Sequence, residues 1–146
     1  MFQSVNGGIL PKRQTKYSAG YDVYSNEKIM LNPHETKLIS LGIKLDQKWL
    51  EKNTNEKFKE ENYIGLYIRS SLALKGLMLG NSIGIIDIDY PEEIKLIVYN
   101  TSKLAYTINR GDRIAQLILQ PHNGIKYLNS MYSTQNRRNS GFGSTD

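Results

Sequence analysis

Short runs of alternating apolar and polar residues, each ended by a turn dipeptide, constrain this chain more than any other feature. In residues 38–45, Ile39, Leu41, Ile43 and Leu45 fall on one side of an extended backbone. Residues 63–68 repeat the pattern with Ile64, Leu66 and Ile68, and residues 93–99 with Ile94, Leu96 and Val98. Residues 104–108 and 113–119 continue the series. A period of two sends every second side chain to one face, as in a strand with one side buried and the other wet. Asn32-Pro33, Tyr90-Pro91 and Arg110-Gly111 punctuate the runs. Many short strands between such turns predict an all-β sandwich or barrel.

With 146 residues there is material for a single core. Hydrophobic residues are 39% and charged residues 23%, an ordinary balance for a soluble globular protein. No apolar run approaches the roughly 20 residues of a membrane-spanning helix. Residues 1–10 also lack the apolar stretch of a signal peptide. An intracellular, soluble protein, cytoplasmic or nuclear and without membrane contact, is expected. The absence of cysteine excludes disulfides and thiolate metal sites, and His34 and His122 alone make a poor zinc centre. Any metal should be a hard cation held by oxygen. The net charge of +5 suits a nucleic-acid binder or a protein that handles polyphosphates. The basic residues are spread along the chain, apart from Lys12-Arg13 and Arg137-Arg138. They lack the interleaved aromatics of a single-strand stacking platform, so no stable nucleic-acid binding is expected.

Two segments break the strand pattern. Residues 46–62 are rich in Lys and Glu, with Trp49, Leu50 and Phe58 as the only large apolar side chains. They read either as a short helix capped by Asp46 or as an exposed excursion between strands. The polar surface insertion is favoured. Residues 130–146 hold Gly141 and Gly143 among Ser, Thr, Asn and Arg, too polar to pack throughout. The expected organisation is a β domain over residues 1–129 and a flexible tail over 130–146. Glycines, hydroxyls and arginines are what a loop closing over phosphates needs.

Five stretches carry a family resemblance. They are Ala19-Gly20-Tyr21-Asp22-Val23-Tyr24-Ser25, Arg69-Ser70-Ser71-Leu72-Ala73, Gly84-Ile85-Ile86-Asp87-Ile88-Asp89-Tyr90, Arg113-Ile114-Ala115-Gln116-Leu117-Ile118 and Gly141-Phe142-Gly143-Ser144-Thr145. In this order, over nearly the whole chain, they resemble the trimeric dUTPases. The resemblance implies a jelly-roll-like β-barrel and a homotrimer with shared active sites. It implies hydrolysis of dUTP to dUMP and pyrophosphate with Mg²⁺, which lowers dUTP and supplies dUMP for dTMP synthesis.

It also implies residue roles. Asp87 is similar to the carboxylate that orients and deprotonates the water attacking the α-phosphorus. Because an ordinary Asp, with a pKa of about 3.9, is a weak base, positioning has to supply much of the effect. Asn81 and the backbone of Gly84, Ile85 and Ile86 match the uracil slot, where a mismatched base would leave buried polar groups unpaired. Tyr90 resembles the ring under the deoxyribose that excludes a 2′-hydroxyl, and Lys95 falls at a further substrate contact. Arg69, Ser70, Ser71 and Gln116 match phosphate contacts. Asp22 resembles the aspartate that holds Mg²⁺ through water. In the tail, Phe142 resembles the aromatic that closes on uracil, while Arg137, Gly143, Ser144 and Thr145 match the phosphate cover.

The chain departs from the pattern at Ile68, usually proline, and at Ser71, usually glycine. Pro91-Glu92 stands in place of Arg-Gly, Arg138 and Ser140 replace tail glycines, and Asp146 replaces the closing glycine. Ser71 gives the second stretch a likeness to the dCTP deaminases, which share the fold. Against that, Ile97 is the best match for the deaminase's catalytic glutamate, and Asp89-Tyr90 and the Gly-Phe-Gly-Ser-Thr ending follow the dUTPases. A third reading, a dUTPase fold serving only as a regulatory binding protein, would be expected to lose Asp87 or the tail motif. Both are present.

Overall fold

The structure is a computed structural model that describes residues 1–124. The expected boundary at residues 129/130 and the tail that follows it lie outside the described residues.

Strands and short helices follow one another along the chain. In order they are β1 (Phe2–Ser4), β2 (Tyr21–Tyr24), β3 (Ile29–Leu31), β4 (Thr36–Ser40), β5 (Ile43–Leu45), α1 (Gln47–Asn53) and α2 (Glu56–Glu61). Then come β6 (Asn62–Ile68), α3 (Ser70–Ala73), β7 (Leu77–Leu79), β8 (Gly84–Asp87), β9 (Lys95–Asn100), β10 (Tyr106–Ile108) and β11 (Arg113–Pro121). The ladders are antiparallel. Among the described residues they form four sheets, ordered β1-β5, β10-β3, β2-β11-β6-β8 and β4-β9-β7. Neighbours in space are distant in sequence, so the all-β fold is jelly-roll-like, built from open sheets around one core rather than one continuous closed ladder.

The alternation finds its core. Ile39, Leu41, Ile43, Leu45, Ile64, Leu66, Ile94, Leu96 and Val98 all lie within the buried cluster. One expected strand is cut in two. Residues 38–45 break after Ser40, where Gly42 takes a φ of +63°. A β-carbon on Gly8 would meet the Gly42 carbonyl oxygen at 2.0 Å, so backbone packs on backbone where the N-terminal segment crosses this break.

Residues 46–62 take the helical form. Asp46 caps α1 by accepting from the Trp49 N–H at 3.0 Å, and Asn55 caps α2 by accepting from the Phe58 N–H at 2.8 Å. Both are short polar side chains satisfying donors that the first turn leaves open. The segment is more than the surface insertion favoured from sequence. Leu50 is fully buried and joins the core, because the helical turn swings one apolar residue inward while its neighbours stay wet.

Asn100, fully buried at the end of β9, is a polar hub. Its amide nitrogen donates to the carbonyls of Leu31, Asn32 and Leu104 at 3.2, 3.1 and 2.8 Å. Its oxygen accepts from the Ser102 N–H and hydroxyl at 3.0 and 2.8 Å. One side chain thus fastens the end of β3 and the loop before β10 to β9. Asn100→Ala should cost about 3 kcal/mol by orphaning these groups. Asn100→Asp, of equal size, should cost at least as much, because its carboxylate would face three carbonyl oxygens. Urea denaturation midpoints check both.

Candidate active site

β6 organises the site. It pairs with β8 through Tyr63↔Asp87, Ile64↔Ile86, Gly65↔Ile85 and Leu66↔Gly84. On its other edge it pairs with β11, including Tyr67↔Gln116. β11 in turn pairs with β2 through Gln116↔Asp22.

At the Tyr67 end of this sheet, one carboxylate gathers three donors. Asp22 is 1% exposed. Its Oδ1 accepts from Gln116 Nε2 at 2.8 Å and lies 3.6 Å from Arg69 Nε. Its Oδ2 accepts from Arg113 Nη1 at 3.2 Å. A carboxylate buried this far needs opposite charge and hydrogen bonds, and it has both. Two guanidiniums share one carboxylate, so the cluster keeps a net positive charge facing outward. The structure brings two of the expected phosphate contacts, Arg69 and Gln116, onto Asp22, the residue expected to hold Mg²⁺ through water. Ser70 and Ser71 follow Arg69 at the start of α3 and are exposed.

Arg113 was not among the expected site residues. In a regular strand, residues three apart point to opposite faces. A register shift between Arg113 and Ala115 breaks that rule and lets Arg113 and Gln116 meet the same carboxylate. Arg113 opens the same stretch as Gln116, but a bulge leaves no mark in an alternation pattern.

The expected base-binding segment lies at the other end. β7 and β8 do not form a simple hairpin: β7 bonds to β9 and β8 to β6, so the connection passes between two sheets. Asn81 sits exposed in it, next to Ser82 at φ +63°, and the Ile83 N–H donates to the Asn81 carbonyl at 2.7 Å. Such a left-handed Ser marks a tightly determined turn. Gly84 is buried, and a β-carbon there would meet Leu66 Cβ at 3.0 Å, which fits glycine to close pairing with β6. Ile85 is 69% exposed and Ile86 faces the core at 8%. Asp87 ends β8, half-buried, and the Tyr90 N–H donates to its carbonyl at 3.1 Å. Tyr90 packs partly on the core. Lys95 opens β9 opposite Ser40, in a different sheet from Asp87.

Asp87 and the Asp22 cluster are therefore far apart within one chain. Their partners on β6, Tyr63 and Tyr67, are separated by four residues of extended strand, about 13 Å. Arg137, Phe142, Gly143, Ser144 and Thr145 lie outside the described residues. Among the described residues, no group of three or more His, Asp or Glu side chains could hold a metal. Nor is any helix of the described residues long and apolar enough to cross a membrane.

The dUTPase family model matches residues 6–53 and 57–146. The chain belongs to the dUTPase family. The variola virus deoxyuridine 5′-triphosphate nucleotidohydrolase is 39% identical, over 98% of this chain and 89% of that protein. The nucleotidohydrolase of the same name from Wigglesworthia glossinidia brevipalpis is 37% identical, over 92% of this chain and 85% of that one. Among solved structures, the Streptococcus mutans dUTPase superposes with a TM-score of 0.70 at 27% identity, covering 84% of this chain and 95% of that one. The native EIAV dUTPase shares the fold at a TM-score of 0.66 and 24% identity, covering 97% and 98%. As a dUTPase-family chain, this protein is an enzyme of the nucleotidohydrolase branch, and the deaminase alternative is not favoured.

The Asp22 cluster yields a stability test. Asp22→Asn leaves two guanidiniums against an amide that donates as well as accepts. The loss should be about 1.5–3 kcal/mol, the range for hydrogen bonds to charged groups, and no more because both arginines still reach solvent. A fall in the urea midpoint with an unchanged slope would show it.

Proposed function

We propose that this chain hydrolyses dUTP to dUMP and pyrophosphate in a homotrimer whose active sites are shared between subunits. The observation that carries the shared site is the separation just described. A triphosphate bound at Arg69, Gln116 and Arg113 of one chain lies about 13 Å along the sheet from that chain's Asp87. The attacking water must lie about 3–3.5 Å from the α-phosphorus and within hydrogen-bond reach of its base, so this separation supports an Asp87 supplied by a second copy. The named activity of the relatives supplies the substrate, and the two halves of the site divide its chemistry between them.

In this reading, Asp87 takes a proton from the water as its oxygen attacks the α-phosphorus. The bond from that phosphorus to the α–β bridging oxygen breaks, and pyrophosphate leaves. Arg69, Arg113 and Gln116, oriented through Asp22, hold the phosphates by charge and hydrogen bonds. Asn81 and the backbone of Gly84, Ile85 and Ile86 read uracil, and Tyr90 lies under the deoxyribose. Lys95 adds a contact from β9. Arg137, Phe142, Gly143, Ser144 and Thr145 close the site from the tail.

Mg²⁺ fits the donor set in one way. Among the described residues no group of carboxylates gathers to hold a metal, and both Asp22 oxygens already accept from Arg113 and Gln116, which disfavours direct multidentate ligation. Asp22 can accept a hydrogen bond from a metal-bound water, which suits a cation that keeps several waters and takes phosphate oxygens directly. When bound there, Mg²⁺ would neutralise charge building on the departing pyrophosphate.

Asp87→Asn should still bind dUTP while turnover falls by about 10²–10⁴, the usual contribution of a positioned base. A chain ending at residue 136 should be equally inactive. After mild dissociation and reassembly, mixtures of the two should regain part of the wild-type rate of pyrophosphate release. Intact Asp87 from one chain then meets an intact tail from another. Absence of rescue, with subunit exchange verified by mass, would mean that each site is built within one chain.

A further inference from the structure

The helical segment after β5 has no place in the chemistry so far, yet it touches the catalytic turn. Gln47, the first residue of α1, is half-buried and sends its side-chain nitrogen to two carbonyls more than 40 positions away. It donates to Ile88 at 3.2 Å and to Tyr90 at 3.3 Å. A primary amide has two N–H bonds on one nitrogen, one for each carbonyl. No other neutral side chain of this length offers that pair.

Those carbonyls belong to the turn between Asp87 and Tyr90, which the Tyr90 N–H closes on the Asp87 carbonyl at 3.1 Å. On one side the turn is held by the β6–β8 ladder, ending at Tyr63↔Asp87. On the other side it is held by Gln47. Ile88, 3% exposed, anchors the middle of the turn in the core. Beyond it Pro91 disfavours the helical region for Tyr90.

Gln47 is itself preorganised. Asp46 caps the helix and donates its own N–H to the Met1 carbonyl at 2.9 Å. Leu50, one turn further on, is fully buried. At the other end, the Thr54 N–H and hydroxyl both return to the Leu50 carbonyl, at 2.9 and 2.7 Å. The amide therefore approaches the turn from a helix fixed at both ends and by its core contact.

We propose that Gln47 is a positioning residue for the reaction. It holds Asp87 and Tyr90 in productive placement from a segment outside the five family stretches. The role acts through the turn, since Gln47 reaches backbone and not substrate, and it rests on the dUTPase reading of Asp87 and Tyr90. Placement errors of about 1 Å at a reacting group cost up to about 10²-fold in rate, so a brace on both carbonyls bears on turnover as well as on folding.

The test replaces the amide without removing its bulk. In the full-length chain, Gln47→Met keeps the shape and loses the donor. Its kcat for dUTP should fall about tenfold. Its preference for dUTP over UTP should fall several-fold, as the Tyr90 ring loses its fixed height. Thermal unfolding should stay close to wild type. Gln47→Lys, which restores a donor over the same carbonyls, should recover much of the kcat and of the sugar preference. Wild-type kcat and wild-type sugar preference in folded Gln47→Met would overturn the proposal. So would equal losses in Gln47→Met and Gln47→Lys. If neither Gln47→Met nor Gln47→Ala folds, Gln47 is a structural residue and the positioning role is likewise overturned. Wild type assayed alongside separates the two readings. A wild-type chain that releases no pyrophosphate from dUTP removes the dUTPase reading itself, while an active one beside an indifferent Gln47→Met removes only the role of Gln47.

Discussion

Both edges of β6 are hydrogen-bonded, to β8 on one side and β11 on the other, and the arrangement of the site follows from that double pairing. A strand paired on both sides cannot slip by one residue without turning its buried face to solvent. Ile64 and Leu66, at 1% and 2% exposed, hold that register. With it fixed, Gly84 to Asp87 are locked along one edge and Gln116 along the other. Asp22 is placed one strand further out. The sheet therefore holds the proposed base-reading residues and the proposed phosphate-reading residues apart by the length of its central strand.

Charge divides along the same line. At the Tyr67 end, Asp22 is buried between Arg69 and Arg113 and orients the two guanidiniums more than it adds negative charge. The arrangement depends on a bulge in β11, a local irregularity that puts two side chains of one motif on one carboxylate. At the Asp87 end the ordering is done by backbone: a left-handed Ser82, a glycine packed on Leu66, and a turn braced by a glutamine from a distant helix. Polar hubs such as Asn100 and Gln47 tie loops to this frame, which fits a protein whose functional residues lie mainly at strand ends and turns.

The strand pattern was legible in the sequence because burial imposes a period of two on every half-buried strand. Ile39, Leu41, Ile43 and Leu45 were assigned to one face and all are buried, although Gly42 divides their strand. Residues 46–62 were harder to read. Local polarity favoured an excursion, and only the packing of Leu50 and the two Asx caps made helices there. Asp22, Arg69 and Gln116 stand out through the resemblance of their stretches to the dUTPase family. Arg113 could not be given a role, because a bulge changes facing without changing composition.

By itself, the sequence determined the strand-built class, the single core, the absence of thiol chemistry and the residue types available for the proposed phosphate and base recognition. These follow from residue type and short-range periodicity, which are local properties of the chain. Tertiary structure alone decided which of those residues meet. It joined Asp22 to Arg113 across 91 positions and Gln47 to Tyr90 across 43, and it set Asp87 apart from the Asp22 cluster on one strand. Such pairings depend on the register of strands far apart in sequence, and register is fixed by the packing of the whole core rather than by any segment of it.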